Sequence, residues 1–224
     1  MVDGILPAAG LATRMRGLPK FLLPCDDEYT TLIEKHVSNL LDVCDTVWIP
    51  TRPEQTILLE TLGISSDRVV VVPMTTGTMT HTVLRLSNIS GASRFLMVMP
   101  DTYFFGEQPY QYLAEGESEL NLACWEIRPE QRGKLGQVKI EGGPRGIVSD
   151  SKDKDPECLF PHSWGAMSFD RSILGLAEET MPHTGYLIQP ALLAARAVEG
   201  KVMAGRYFDC GTPREYLQML DLTA

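Results

Sequence analysis

Short apolar runs alternate with amphipathic segments through the first 106 residues, and that alternation most restricts the folds open to this chain. Apolar or β-branched runs of strand length occur at residues 4–7, 47–50, 69–72 and 95–99. Between them, Leu32, Ile33, His36, Val37, Leu40 and Leu41 recur at helical spacing, which predicts a helix over residues 31–43 with one buried face. Further helices fall near residues 54–62 and 78–89. Strand–helix repetition of this kind is the habit of a mostly parallel sheet covered by helices.

After Gly106 the pattern changes. Apolar runs at residues 122–125, 138–140, 147–148 and 165–169 are separated by Gly- and Pro-containing turns, which predicts a mixed, partly antiparallel extension of the same sheet. The polar stretch SDSKDKDPE at 149–157 has no apolar anchor and reads as a loop. Helical spacing returns at 173–178 and 187–198, and a last strand at 202–207 leads into DCGTPREYLQML. There Thr212 reads as an N-cap, Pro213 as the first helical residue and Glu215 as a capping-box partner. With 224 residues, 44% of them hydrophobic, and no repeat or low-complexity linker, one α/β domain over residues 1–224 is expected.

Charge and cysteine usage narrow the function. A formal net charge of −9 lacks the broad basic surface that nonspecific nucleic-acid or anionic-membrane binding requires, so any bound anion must be held locally. Cys25, Cys44, Cys124, Cys158 and Cys210 are odd in number and never in a CxxC spacing, which points to neither a disulfide framework nor a zinc site. A reducing cytoplasm fits that usage. No signal peptide is expected ahead of the first strand, and no apolar run nears the ~20 residues that span a bilayer, so neither a membrane nor a nucleic acid is an expected partner. His36, His81 and His183 are scattered, and no His–Cys or Ser–His–Asp spacing suggests a nucleophilic centre.

The segment LPAAGLATRMRGLPK, Leu6 to Lys20, carries the chemistry. It places a small-residue loop directly after a short apolar strand and follows it with Arg14 and Lys20. Gly10 permits positive φ and close approach, while Ala8, Ala9 and Ala12 keep the loop thin, so that consecutive N–H groups can face phosphate oxygens. The pattern is neither GxxxxGK[ST] nor GxGxxG. A second feature is Met99-Pro100-Asp101, a carboxylate at the C-terminal end of an apolar strand, where α/β sheets gather ligands and an Asp often holds a divalent metal. Asp209, in Phe208-Asp209-Cys210-Gly211-Thr212-Pro213, is a third.

Together these segments resemble the nucleotidyltransferases that join a nucleoside triphosphate to a sugar 1-phosphate. LPAAGLATRM with Pro19-Lys20 is similar to that family's (A/P)AGxGTRM loop and Pro-Lys pair, with Ala12 where many members have Gly. DCGTP resembles its late DxGTP segment, whose Asp is the second carboxylate on the metal. In PMTTGTMTHTV, Gly77 and Thr78 match a Gly-Thr pair that contacts the nucleobase, with Thr75, Thr76 and Thr80 as further polar candidates. GKLGQV sits where the family has a glycine-bearing strand over the sugar, with Gly136 the match. Asp153-Lys154-Asp155-Pro156 resembles its EKP segment, making Lys154 the match and Lys152 its competitor. Trp164-Gly165 stands where the family carries an amide and a Gly against the sugar; Trp164 would offer an aromatic face instead.

The resemblance implies a doubly wound α/β fold, a mixed, mainly parallel sheet with helices on both faces. Residues 1–106 would form the nucleotide-binding half and 107–224 the sugar-phosphate-binding half. The implied reaction turns an NTP and a sugar 1-phosphate into an NDP-sugar and pyrophosphate. Asp101 and Asp209 would hold Mg²⁺, and Arg14 and Lys20 would stabilise the departing pyrophosphate. Ala8, Ala9, Gly10, Leu11, Ala12 and Thr13 would line the nucleotide, and Lys154 would hold the incoming phosphate, with Gly136, Trp164 and Gly165 about the sugar. Three alternatives stay open: a cytidylyltransferase acting on an alditol or isoprenoid-precursor phosphate, a nucleotide-sugar-binding regulatory protein without turnover, and a glycosyltransferase of similar fold. Base identity and self-association into a homo-oligomer are also open.

Overall fold

The computed structural model describes residues 1–10 and 16–223. The first half builds β1 (Val2–Ile5), α1 (Leu32–Leu41), β2 (Thr46–Thr51), α2 (Thr56–Thr61), β3 (Val69–Pro73), α3 (Met79–Ser87) and β4 (Arg94–Val98). The helices begin where their caps demand. Thr31 and Glu34 form a reciprocal capping box, Thr31 N–H donating to Glu34 Oε2 at 2.8 Å, and Thr78 Oγ1 accepts from His81 N–H at 3.0 Å. The strands lie parallel in the order β3-β2-β1-β4. The chain therefore leaves β1 toward β2 on one side and returns to β4 on the other. The loops at the C-terminal ends of β1 and β4 diverge, and a crevice opens between them.

The second half adds β5 (Thr102–Gly106), α4 (Tyr110–Glu115), β6 (Leu120–Glu126), β7 (Gly136–Glu141), β8 (Arg145–Asp153), β9 (His162–Asp170), α5 (Ile188–Leu193), β10 (Val198–Val202), β11 (Gly205–Asp209) and α6 (Pro213–Thr223). The main sheet runs β3-β2-β1-β4-β9-β6-β10-β8-β7, with β7 also meeting β9. Because β9 inserts antiparallel between β4 and β6, and β7 and β8 are antiparallel too, the sheet is mixed. Parallel pairing runs through the four strands of the first half and recurs between β6 and β10, while the other described pairings of the main sheet are antiparallel, so the expectation of a mainly parallel sheet is not met as a whole.

Both faces carry a core. On one, Ile33, Val37 and Leu40 of α1, Leu59 of α2 and Leu113 of α4 pack on Val47, Ile49, Leu96 and Val98. On the other, Val83 and Leu86 of α3 and Ile188 and Ala191 of α5 pack on Phe95, Met97, Met167 and Phe169. Alternate residues of β4 thus serve opposite cores, which explains a strand that is apolar throughout rather than every second residue. A third cluster, with Leu32, Phe208, Cys210 and Met219, fastens α6 and the β5–β11 ribbon to the start of α1.

Several sequence expectations change. Residues 149–153 belong to β8 rather than to a loop, since Ser151 pairs with Val138 and Asp153 with Gly136. A bulge at Ser149, where the register shifts between Lys139 and Ile140, breaks the two-residue period that would have revealed the strand. The helix expected over 173–178 is a 3₁₀ segment, Arg171–Leu176. The one expected over 187–198 stops at Leu193: Ala195 takes φ 51°, its N–H donates to Leu192 O at 3.0 Å and Arg196 N–H donates to Ala191 O at 2.9 Å. That left-handed cap turns the chain into β10, so Val198 is a strand residue. The strand expected over 202–207 is two strands, β10 in the main sheet and β11 in the ribbon with β5. Among the described residues, no helix is long and apolar enough to cross a membrane.

Candidate functional site

A cavity of about 360 Å³ opens at the C-terminal ends of the parallel strands. After β1 come Ala8, Ala9 and Gly10; after β2, Arg52 and Gln55; after β3, Thr76, Gly77 and Thr78; after β4, Pro100 and Asp101. Lys20 completes the wall. Four segments distant in sequence converge because parallel strands all end on the same edge.

The loop begins as a continuation of the sheet. Ala8 is buried and its N–H donates to Pro50 O at 2.9 Å, so Ala9 and Gly10 are the described residues that face outward. Gly10 does not adopt the positive φ expected of it, and a Cβ there would meet nothing within 4 Å. Its value is a bare backbone rather than an unusual dihedral. Leu11, Ala12, Thr13 and Arg14 lie outside the described residues.

Lys20 and Asp101 meet directly, Nζ to Oδ2 at 3.1 Å, with side chains only 11% and 18% exposed. Asp209 arrives beside them through the ribbon. Residue 209 pairs with Thr102, and Cys210 N–H donates to Asp101 O at 2.9 Å. The Asp209 carboxylate accepts from Gly211 N–H, also at 2.9 Å. Tyr207, buried behind the pair, has its phenol pushed well above its ordinary pKa by burial and then by the charges of Asp209 and Asp101. Both side chains offer carboxylate oxygens, and Asp101 lines the cavity; among the described residues no three His, Cys, Asp or Glu side chains gather as a metal site.

His36 fixes the backbone next to Asp101. Its Nε2 lies 2.9 Å from Thr102 O and its Nδ1 2.7 Å from Tyr110 Oη. A carbonyl only accepts, so the ring carries its proton on Nε2 and accepts from the tyrosine. Burial lowers its pKa to about 4.

Thr78 lines the cavity through its backbone, because its hydroxyl is committed, accepting from His81 N–H and donating to Glu179 O at 2.6 Å. Gly77 is open, with nothing within 4 Å of a Cβ. The residues matched to a sugar lie apart from this cavity. Trp164 wedges its indole over Gly136 and Gly185, at both of which a Cβ would overlap the ring. A Cβ at Gly165 would strike Tyr207 and Trp125, so that glycine admits core aromatics. Lys154 is exposed at φ 50°, its N–H donating to Leu135 O at 3.3 Å, while Lys152 is exposed on β8 opposite Gln137.

Sequence reasoning missed two groups. Arg52 and Gln55 enter the cavity at the C-terminal end of β2, where the rule that singled out Asp101 after β4 applies equally. The second is a cluster beside Trp164. His183 Nε2 lies 3.3 Å from Asp153 Oδ2, Gly185 N–H donates to His183 Nδ1 at 3.2 Å, and Tyr186 packs edge-on against His183 at 4.9 Å. No local pattern announces it, because β8 was hidden by its bulge.

The comparisons agree with this architecture. The family model of the MobA-like NTP transferase domain matches residues 4–202. No curated protein matches the sequence. Among solved structures, a UDP-glucose pyrophosphorylase complexed with UDP-glucose superimposes with TM-score 0.82 at 16% identity, covering 99% of this chain and 98% of that one. The UTP-bound UGPase from Acinetobacter baumannii gives 0.78 at 19%, covering 99% and 93%. A Bacillus anthracis protein described as a glucose-1-phosphate thymidylyltransferase, in complex with a sucrose, gives 0.83 at 17%, covering 100% and 95%. At such identities the structural likeness is one of fold, whereas the family model spans most of the sequence. The chain belongs to the MobA-like NTP transferase domain family.

Proposed function

We propose that this protein transfers a nucleoside monophosphate from an NTP to a sugar 1-phosphate, giving an NDP-sugar and pyrophosphate. The observation that carries the reading is the convergence of the thin loop at 8–10, Lys20 and Asp101 on one cavity, with Asp209 brought beside Asp101 by the β5–β11 ladder. Those are the residues the sequence resemblance assigns to the triphosphate and its metal. Solved structures of like fold are named for UDP-glucose and for glucose 1-phosphate.

In this reaction an oxygen of the sugar phosphate attacks the α-phosphorus in line, the bond to the β-phosphate oxygen breaks, and pyrophosphate leaves with the electron pair. The protein's work is positioning and charge neutralisation. Lys20, together with Arg14, which the sequence resemblance assigns to the same task, stabilises charge on the departing pyrophosphate. Asp101 and Asp209 would hold Mg²⁺, for which two carboxylates plus substrate phosphates are a suitable donor set. An ion held there would supply charge neutralisation at the α-phosphate and the attacking oxygen. The Lys20–Asp101 pair sets both side chains before substrate arrives, and His36 steadies the Asp101 turn from below. Lys154 holds the sugar phosphate.

Pyrophosphate release from a panel of the common NTPs and sugar 1-phosphates, with Mg²⁺ and after chelation, tests the reading. Asp101→Asn and Asp209→Asn are each expected to lower turnover about 10²-fold or more, and to combine non-additively. Near-normal turnover in either variant would remove that carboxylate from the chemistry. No pyrophosphate from any pair would overturn the transfer reaction.

A further inference from the structure

We infer that Arg52 selects the nucleobase, favouring bases that carry a keto oxygen where cytosine and adenine carry an amino group. The inference rests on the proposed reaction only in taking the cavity as the nucleotide site.

The strand order separates the two ends of that cavity. The loops after β2 and β3 lie on one side of β1, and the loop after β4 lies on the other. Arg52, Gln55, Thr76 and Gly77 therefore wall one end, while Asp101 walls the opposite end with Lys20 paired to it. Phosphates are drawn to Lys20, and the base falls toward Arg52.

Arg52 and Gln55 at that end are set as donors, and Thr76 as an acceptor. Arg52 Nε is held by Glu54, whose carboxyl the same hydrogen bond keeps below its usual range. The Arg52 side chain makes no other hydrogen bond among the described residues, so its Nη1 and Nη2 edge is available, and it is only 25% exposed. Gln55 accepts from Thr51 Oγ1 at 3.4 Å through Oε1, which leaves its amide NH₂ to donate. Thr82 Oγ1 donates to Thr78 O at 3.0 Å, so the contact between Thr76 and Thr82 is donated by Thr76, whose oxygen keeps its lone pairs.

A guanidinium has five donors and no acceptor. Facing an amino group it leaves donor against donor in a half-buried site, whereas a carbonyl oxygen accepts from it. Sites built around such a bond reject the mismatched analogue strongly, because the buried group is left unpaired. Glu54 adds orientation by fixing the third edge of the fork.

The test is equilibrium binding by calorimetry with Mg²⁺, using matched pairs that differ at that position: UTP against CTP, and ITP against ATP. Wild type is expected to bind the keto member of each pair about tenfold or more tightly, the discrimination one good Arg contact supplies. Arg52→Met, checked by thermal melting, should bring both ratios toward one by weakening UTP and ITP while leaving CTP and ATP nearly unchanged. Equal affinities in wild type, a preference for the amino members, or an equal loss for all four triphosphates in the variant would overturn the inference; the last would make Arg52 a phosphate ligand. Binding does not require turnover, so the expected ratios without pyrophosphate release would sink the transfer reaction and leave the base selection standing. Failure of all four triphosphates to bind would sink both.

Discussion

Gly165→Ala isolates what the glycine on β9 is for. A Cβ at this position would sit 2.5 Å from Tyr207 Cε2, 2.6 Å from Tyr207 Cδ2 and 2.8 Å from Trp125 Cζ3. Carbon atoms are at ease about 3.5–4.0 Å apart, so the rings would have to retreat by roughly 1 Å. They have little room. Trp125 is stacked on Phe104 with centroids 5.0 Å apart and planes 3° from parallel, and it packs on Tyr207 at 5.4 Å. Overpacking of this kind costs about 1–3 kcal/mol. In a chain of 224 residues each kcal/mol shifts Tm by about 2–4 °C, so a fall of about 2–12 °C is expected by calorimetry or circular dichroism. Tyr207 lies on β11 two residues before Asp209, so the strain should also displace that carboxylate and lower kcat, with KM for the sugar phosphate little changed. A variant that melts within about 1 °C of wild type while KM rises would refute the packing argument and return Gly165 to the sugar.

Three further outcomes are expected. Lys154→Ala should raise KM for the sugar phosphate or lower turnover without changing NTP binding, and Lys152→Ala should be close to silent, as an exposed strand charge usually is; kinetics of the two variants decide, and silence in both would send the search for the phosphate ligand to Arg128, Arg132 and Lys134. Ala195→Gly should stabilise the protein by about 1 kcal/mol in urea unfolding, because Ala195 holds φ 51°, where a Cβ is strained and glycine is not; a loss of stability would refute the cap. His36 has a folded-state pKa of about 4 against an ordinary 6.5, so the unfolded chain takes up a proton that the folded one refuses. Its stabilising contribution is complete above about pH 6.5 and is lost as pH falls toward 4, by about 1.4 kcal/mol per pH unit. His36→Gln should flatten unfolding free energy over that window, and an unchanged slope would refute a buried neutral ring.

Local pattern by itself determined the parallel half of this protein. The apolar runs that became β1, β2 and β4 are largely buried on both faces, with β3 half-buried at the sheet edge, and α1 and α3 begin at caps legible as Thr31 and Thr78, so nearest-neighbour chemistry was enough. The loop from Leu6, Asp101 and Asp209 stood out by residue type and order. What tertiary structure alone decided is which groups share a space. Lys20 faces Asp101 across 81 positions of chain. Asp209 reaches them only because β11 leaves the main sheet to pair with β5. Gly136 and Gly165, alike in sequence terms, turn out to admit Trp164 and Tyr207, since what fills the space over a glycine comes from strands and turns remote in sequence. Arg52 looked like any charge after a strand until the cavity put it at one end with Thr76 and Gly77. Hydrogen-bonding period and helix capping act over a few residues and are written locally, whereas a site is made by strand order, and strand order depends on which surfaces the whole chain can bury at once.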